Sequence, residues 1–430
     1  MSAVPPELYR RRVVDDELDE LLASLPAVAL EGAKAVGKTA SASQRATTIH
    51  RLDDPAERSV AVADPRRLIE GPPPVLIDEW QRLPESWDLV RRAVDDPGVV
   101  PGSFLLTGSA SPADSSTHSG AARIVTVRMR PLTLAERGVE EPSVALSELL
   151  TGSRPSLDGR TGVGLEDYVD EILASGLPGL RDLSGRALRA QLDGYLLRIV
   201  DHDFEEMGHR VRNPAVLRRW LAAYAAASST STSYEKIRDA ATSGQGEKPA
   251  KTTTIPYRDV LERLWIVDPV PAWLPTRNRL RRLSSPPKHQ LVDPALAARL
   301  LGVDAGALLS AESTAAPLHR DGTLLGSLFE SLVTLDVRVY AQAAEASTKH
   351  LRTAGGEHEV DLIVERGDGR VLAIEVKLAR DIADGDLHHL FWLRERIGDD
   401  LLDAIVVTTG EAAYRRRDGI GVVPAALLGR

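Results

Sequence analysis

Apolar positions along this chain follow two periodicities, and the switches between them divide it. Residues 13–25 form a short amphipathic segment, and the run AVAL at 27–30 that follows is continuously apolar. Two further short apolar runs, VLI at 75–77 and FLL at 104–106, stand before polar or glycine-containing turns. Runs of that length with turn signals behind them predict buried strands. From residue 164 to about 225 the spacing becomes helical, in LEDYVDEILA and LDGYLLRIVDHDFEE, with SGLPGL at 175–180 as the break. Residues 232–273 read as helix, glycine-containing turn, helix and a β-like end. Further on, GSLFESLV is an apolar helix, EVDLIVE and VLAIEVK are two strands about a GDG turn, a helix begins near Gly385, and a last strand covers 403–408. Strands mixed with helices on both sides of a helical middle predict an α/β protein in three parts.

The turn after the first strand carries chemistry. EGAKAVGKTASAS sets Gly32, Gly37, Lys38 and Thr39 at the spacing G-x-x-x-x-G-K-[ST] of a phosphate-binding loop. The glycines let the backbone turn tightly, so that the amides of Gly32, Ala33, Lys34, Ala35, Val36, Gly37, Lys38, Thr39 and Ala40 can face a polyphosphate. Lys38 supplies a point charge for the β and γ phosphates, and Thr39 a hydroxyl for Mg²⁺. The helix expected over 38–45 presents its positive end to the same anion. The strand at 75–77 ends in Asp78 and Glu79. Asp78 is expected to hold Mg²⁺ through its water shell, and Glu79 to orient or deprotonate the attacking water. Two adjacent acids at a strand end also suit a solvated turn. A third strand ends in Thr107-Gly108-Ser109, where Thr107 is expected to touch the γ-phosphate or the lytic water, with plain turn chemistry as the alternative.

Composition narrows the classes. With 43% hydrophobic and 27% charged residues among 430, the chain reads as a globular protein of two to three domains. It has no cysteine, which excludes disulfides, Cys-ligated zinc, iron–sulfur clusters and thiol nucleophiles. The first residues lack the apolar core of a signal peptide, and no uncharged apolar run approaches the roughly 20 residues of a membrane span. A cytoplasmic protein without membrane contact is expected.

The order phosphate loop, LIDEWQ, FLLTGSA, SGAARI and MRPLTLAE resembles a group of prokaryotic AAA-type ATPases whose C-terminal region is described as of unknown function. The resemblance covers nearly the whole chain and implies an ATPase core, a helical bundle after it, and a restriction-endonuclease-like C-terminal fold. In that family a glycine usually precedes the arginine where this chain has Ala122-Arg123, which weakens Arg123 as a γ-phosphate or trans-acting arginine and favours a surface role. No clear intersubunit arginine stands out, so the oligomeric state is open. The stretch 109–120 reads as a flexible loop near the phosphates.

The middle is basic as well as helical. Residues 209–290 hold 15 Lys and Arg against 6 Asp and Glu, a formal +9, whereas the whole chain is −9. Such segregation is the electrostatic footprint of a surface facing duplex DNA. The element order suggests a winged helix with 252–263 as the recognition helix, although a packing or protein-binding module has the same layout. Lys251, Arg258, Arg279, Arg281 and Arg282 are the expected DNA contacts, and Arg277 and Lys288 belong to the densest cluster. Asp201, His202 and Asp203 suit a helix face better than a metal site, lacking partners at ligand spacing.

On the C-terminal hairpin Glu375 and Lys377 share a face, and Asp361 on the partner strand can converge on them. With Glu330 on the upstream helix these residues form the PD-(D/E)xK arrangement, in which the acids hold a divalent metal and Lys377 positions water. A buried ion-pair network is the alternative. His358 is expected to be an exposed edge residue. The parts are thus a P-loop AAA-like ATPase domain at 1–155, a helical and winged-helix region at 156–305, and a restriction-endonuclease-like α/β domain at 306–430. The expected activity is Mg²⁺-dependent ATP hydrolysis, coupled to DNA contact by the middle. An ATP-gated nuclease and a nucleotide-switch scaffold that binds protein partners are the alternatives.

Overall fold

The computed structural model describes residues 9–110, 122–242, 250–276, 285–313 and 324–430. Its first sheet has five parallel strands: β1 (Ala27–Glu31), β2 (Thr48–Arg51), β3 (Val75–Asp78), β4 (Phe104–Gly108) and β5 (Val125–Arg128). Their spatial order is β2-β3-β4-β1-β5, so β4 lies between the strand that feeds the phosphate loop and the strand that ends in acids. β1, β3 and β4 are buried along their whole length, as strands covered on both faces must be, and this is why each reads as an unbroken apolar run. Helices Pro55–Ala63 and Glu85–Ala93 cover one face around Trp80, Trp87 and Leu106. Helix Val14–Ser24 packs on the other face through Leu18 and Leu22.

A two-stranded pair is formed by β6 (Val144–Ala145) with β14 (Leu428–Gly429). The second large sheet contains β7 (Ala272–Trp273), β8 (Ser347–Arg352), β9 (Glu359–Glu365), β10 (Val371–Lys377), β11 (Leu401–Thr408), β12 (Tyr414–Arg415) and β13 (Gly421–Pro424). β9 and β10 form the expected antiparallel hairpin, and β10 runs parallel to β11. Helix His388–Ile397 covers one face of this sheet through Leu390 and Leu393, and the 20-residue helix Leu324–Ala343 covers the other.

Between the sheets lie helices Leu165–Ala174, Gly185–Arg198, Pro214–Ala226, Tyr234–Ala240, Lys251–Arg263, Pro294–Leu301 and Ala305–Ser313. The 175–180 break is held by Asp293, which accepts hydrogen bonds from Ser175 Oγ at 2.7 Å and Gly176 N at 2.8 Å while capping its own helix at Ala295 N. After Lys251–Arg263, antiparallel bridges join Val267 to Leu291 and Val270 to Lys288. β7 then leaves this pair to join the edge of the second sheet beside β8. One apolar core runs from Leu18 through Tyr168, Trp220 and Phe329 to Leu428, so all three parts share it. Among the described residues no helix is long and apolar enough to cross a membrane.

Candidate functional site

The phosphate loop follows β1 and leads into helix Lys38–Ser43. Gly37 sits at φ 105°, in the region that favours glycine, and Ala35 takes φ 66° beside it. Gly32 is needed for a different reason. A Cβ there would run into the Met129 carbonyl that follows β5, so the constraint on residue 32 is close backbone approach. Lys38 is buried and folds back onto its own loop, donating to the Gly32 carbonyl at 2.9 Å and the Ala33 carbonyl at 2.8 Å. Burial lowers its ammonium to about 8, while Glu79 and Asp78 pull the other way.

Strand order brings the remaining polar groups together. Thr39 Oγ1 donates to Asp78 Oδ1 at 2.8 Å, and Thr107 Oγ1 on the intervening β4 donates to the same oxygen. Burial raises the Asp78 carboxyl, and these two hydroxyls counter the rise. Thr107 Oγ1 also accepts from the Glu79 amide at 3.1 Å. Glu79 has φ 57°, a conformation uncommon for a residue with a side chain and found at functional sites, and its Oε2 is held by Ser109 Oγ at 2.7 Å and by the Gln81 amide. A hydroxyl and a carboxylate, both hard oxygen donors, suit Mg²⁺. Arg123 pairs with Asp95 at 2.7 Å on the surface.

Residues outside the motifs brace this site. Arg12, buried, donates to the Val36 carbonyl at 2.8 Å, the Arg130 carbonyl at 2.9 Å and Glu136 at 2.8 Å. Lys34 reaches across to the helical part, pairing with Asp203 at 2.6 Å and Glu206 at 3.3 Å, and Glu206 also takes Arg82 at 3.0 Å. Asp203 belongs to a π-helical turn, Ile199–Asp203, of the kind frequent at functional sites. Within that helical turn Asp203 is buried against the phosphate loop, and Asp201 pairs with Arg218. No sequence signal short of the fold marks Arg12 or Asp203.

A second polar junction joins the parts. Asp268 accepts from Arg130 at 2.9 Å and Arg338 at 2.9 Å, with Arg128 at 3.7 Å. The three guanidinium groups hold its carboxyl far below the usual range despite burial. Arg128 also lies 3.8 Å over the Trp265 ring.

In the C-terminal part Asp361, Glu375 and Lys377 come together as the hairpin predicts, with Glu330 beside them. Lys377 Nζ donates to Glu375 Oε1 at 2.7 Å, and Asp361 Oδ2 accepts from Val376 N at 2.9 Å. The sequence gives no warning of the fifth member. Lys288, assigned above to the basic DNA-facing cluster, is fully buried and lies among these acids, 2.7 Å from Glu330 Oε1 and 3.1 Å from Asp361 Oδ1. That placement takes Lys288 out of the basic cluster to which its sequence position assigns it. Burial beside other carboxylates pushes Glu330 and Glu375 up to about 8 each, whereas Lys288 and Lys377 hold Asp361 low. His358, expected to be an exposed edge, is half-buried and stacks on Trp392 at 4.0 Å.

Of the expected DNA contacts, Lys251 pairs with Glu235, and Arg258 pairs with Asp259 at 2.9 Å and lies over the Tyr234 ring at 5.0 Å. Exposed pairs of this kind are weak and exchange readily with other anions. Arg277, Arg279, Arg281 and Arg282 fall outside the described residues. Helix Lys251–Arg263 buries Thr254, Tyr257, Val260 and Leu261 and leaves Ile255 exposed.

Comparison with known proteins bears on the N-terminal domain as a whole and on none of these side chains. Residues 24–137 match the family described as AAA domain, residues 165–307 a domain of unknown function (DUF8612), and residues 325–428 a domain of unknown function (DUF4143). Uncharacterized proteins of Mycobacterium tuberculosis and Mycobacterium bovis are each 28% identical over 305 residues, covering 69% of this chain and 61% of the relative. The chain thus spans about six tenths of the length of the curated relatives it matches. Among solved structures, a Walker-type ATPase of Pyrococcus abyssi is 16% identical, with a TM-score of 0.41 over 70% of this chain and 98% of that one. The ORC2 protein of Aeropyrum pernix, in ADPNP–ADP complexes, is 16% identical with a TM-score of 0.29 over 73% and 97%. Residues 24–137 are thus similar to the AAA domain family, and within them the loop after β1 sets Lys38 and Thr39 opposite Asp78.

Proposed function

We propose that this protein binds and hydrolyses ATP with Mg²⁺, and that nucleotide state is relayed through its helical middle to a surface that contacts duplex DNA. The observation that carries the first half is the chain of contacts Thr39–Asp78–Thr107, which ties the phosphate loop to the tips of β3 and β4 with Glu79 just beyond. Lys38 exchanges its two loop carbonyls for phosphate oxygens, and the added negative charge restores the ammonium that burial disfavours. Thr39 and Asp78 hold Mg²⁺, which when bound neutralises charge on the β and γ phosphates. Glu79 takes the proton of the attacking water, and Ser109 and Gln81 orient its carboxylate. Thr107 keeps Asp78 and the Glu79 amide in register.

The relay rests on Lys34, which is part of the phosphate loop and also paired to Asp203 and Glu206 of the middle. The DNA half rests on the +9 of residues 209–290. Steady-state ATP hydrolysis by the full chain, with and without duplex DNA, tests both halves against Lys38→Ala and Glu79→Gln. Turnover lost in both variants supports the ATPase reading, and equal turnover in all three proteins overturns it. Stimulation by DNA that weakens steeply with salt supports the second half. Indifference to DNA removes it and directs the basic segment toward protein partners.

A further inference from the structure

The C-terminal acids form a cation site whose cation is part of the chain. An ammonium has three protons to donate, and Lys288 Nζ has three oxygens within hydrogen-bond distance: Glu330 Oε1 at 2.7 Å, Asp361 Oδ1 at 3.1 Å and the Asp361 carbonyl at 3.4 Å. Glu359 adds a carboxylate at 3.8 Å. The lysine is held from behind. Its backbone exchanges two 2.9 Å hydrogen bonds with Val270, the neighbouring Pro286 carbonyl faces His350 Nε2 at 3.1 Å, and His289 N donates to the Thr230 carbonyl at 2.8 Å. The side chain is thus delivered into the acids by a segment of the middle, pinned on both sides of residue 288.

Acidic groups outnumber ammonium groups in the cluster even so. Glu330, Asp361 and Glu375 face Lys288 and Lys377, and Glu375 Oε2 is buried with no hydrogen-bond partner among the described residues. Among those residues, no three carboxylates or imidazoles stand in metal-ligand geometry. A divalent metal needs the carboxylate oxygens that the ammonium now occupies, and two cations sharing Glu330 Oε1 and Asp361 Oδ1 would repel at close range. The donor set expected for a nuclease metal therefore does not fit a metal with Lys288 in place.

We propose that the Lys288 ammonium takes the place of a divalent cation in the Glu330–Asp361–Glu375 cluster, so that the intact chain offers no metal site there until that ammonium is removed. The inference is independent of nucleotide hydrolysis by the N-terminal part. Taking away the lysine charge leaves buried carboxylates short of a counterion, and a hard dication is the ligand that restores balance.

Mn²⁺ titration of the full chain without nucleotide, followed by electron paramagnetic resonance of free Mn²⁺, tests this. The proteins compared are wild type, Asp361→Asn, Lys288→Met and the double variant Lys288→Met/Asp361→Asn. Wild type and Asp361→Asn are expected to bind Mn²⁺ identically. Lys288→Met should gain one site at least tenfold tighter than anything in wild type, lost again in the double variant. Thermal unfolding read in parallel should show Mn²⁺ raising the midpoint of Lys288→Met and leaving that of wild type unchanged. A wild-type site that disappears in Asp361→Asn overturns the proposal without recourse to the lysine variant. A folded Lys288→Met that gains no site overturns it too. If Lys288→Met folds only when Mn²⁺ is present, that dependence supports it.

Discussion

Asp268→Ala removes the carboxylate that three largely buried arginines share. Arg128 and Arg130 follow from β5 of the first sheet, Arg338 comes from the helix against the second sheet, and Asp268 from the strand-like segment between them. Truncating one partner of a buried ion pair costs about 3–5 kcal/mol, chiefly because the charges left behind stay buried and unpaired. Two guanidinium groups at 2.9 Å place this site at the upper part of that range. Urea unfolding followed by tryptophan fluorescence is the assay, and Trp265, stacked under Arg128, is a built-in reporter of the junction. The pH dependence has a definite sign. The folded-state carboxyl is held below its unfolded value, so its stabilisation is fully present above an ordinary carboxylate pKa of about 4 and is lost as pH falls further. The gap between wild type and Asp268→Ala should therefore be widest near neutrality and narrow in acid. Adding Arg338→Met to Asp268→Ala should cost less than Arg338→Met alone, because that guanidinium is already unpaired. A loss below about 1 kcal/mol, or a gap that grows in acid, would refute the reasoning.

Three further outcomes can be checked directly. Gly32→Ala should abolish nucleotide binding measured by calorimetry, since the added methyl meets the Met129 carbonyl and shifts the loop, whereas Gly98→Ala, in open space, should bind normally. Glu375→Gln should flatten the pH dependence of thermal stability: a carboxyl raised to about 8 in the fold makes wild type lose stability as pH rises from about 4.5 to about 8, and the amide carries no such proton. Arg12→Ala should lower stability by about 3 kcal/mol and weaken ATP binding, because Glu136 is left buried without its partner and the Val36 carbonyl loses its brace.

The sheets and the phosphate loop are legible in the sequence because their causes are local. A strand buried on both faces has to be an apolar run, and the Lys38–Thr39 loop has to carry Gly37 where φ is positive. The same locality holds for the EVDLIVE–VLAIEVK hairpin, whose register follows from its turn. Lys288 shows the other side. In sequence it follows serines and prolines in a basic stretch, and nothing nearby says that it will be buried; its partners Glu330 and Asp361 are brought to it by the helix Leu324–Ala343 and by β9. Gly32 is similar, for its motif position is readable but its reason lies in the carbonyl of Met129. The pairing of Lys34 with Asp203 depends on a π turn that leaves no periodic trace.

The pairing of β6 with β14 bears on the order in which this protein can be made. All five strands of the first sheet lie between Ala27 and Arg128, so that sheet can close soon after its residues leave the ribosome. Val144, by contrast, finds its strand partner in Leu428, and both lie in the shared core. At translation rates of about 5–20 residues per second, that delay is roughly 15–60 s, long compared with the collapse of a small domain. During that interval the nascent chain carries a finished sheet followed by an uncovered apolar strand, the point at which a chaperone would have the most to shield.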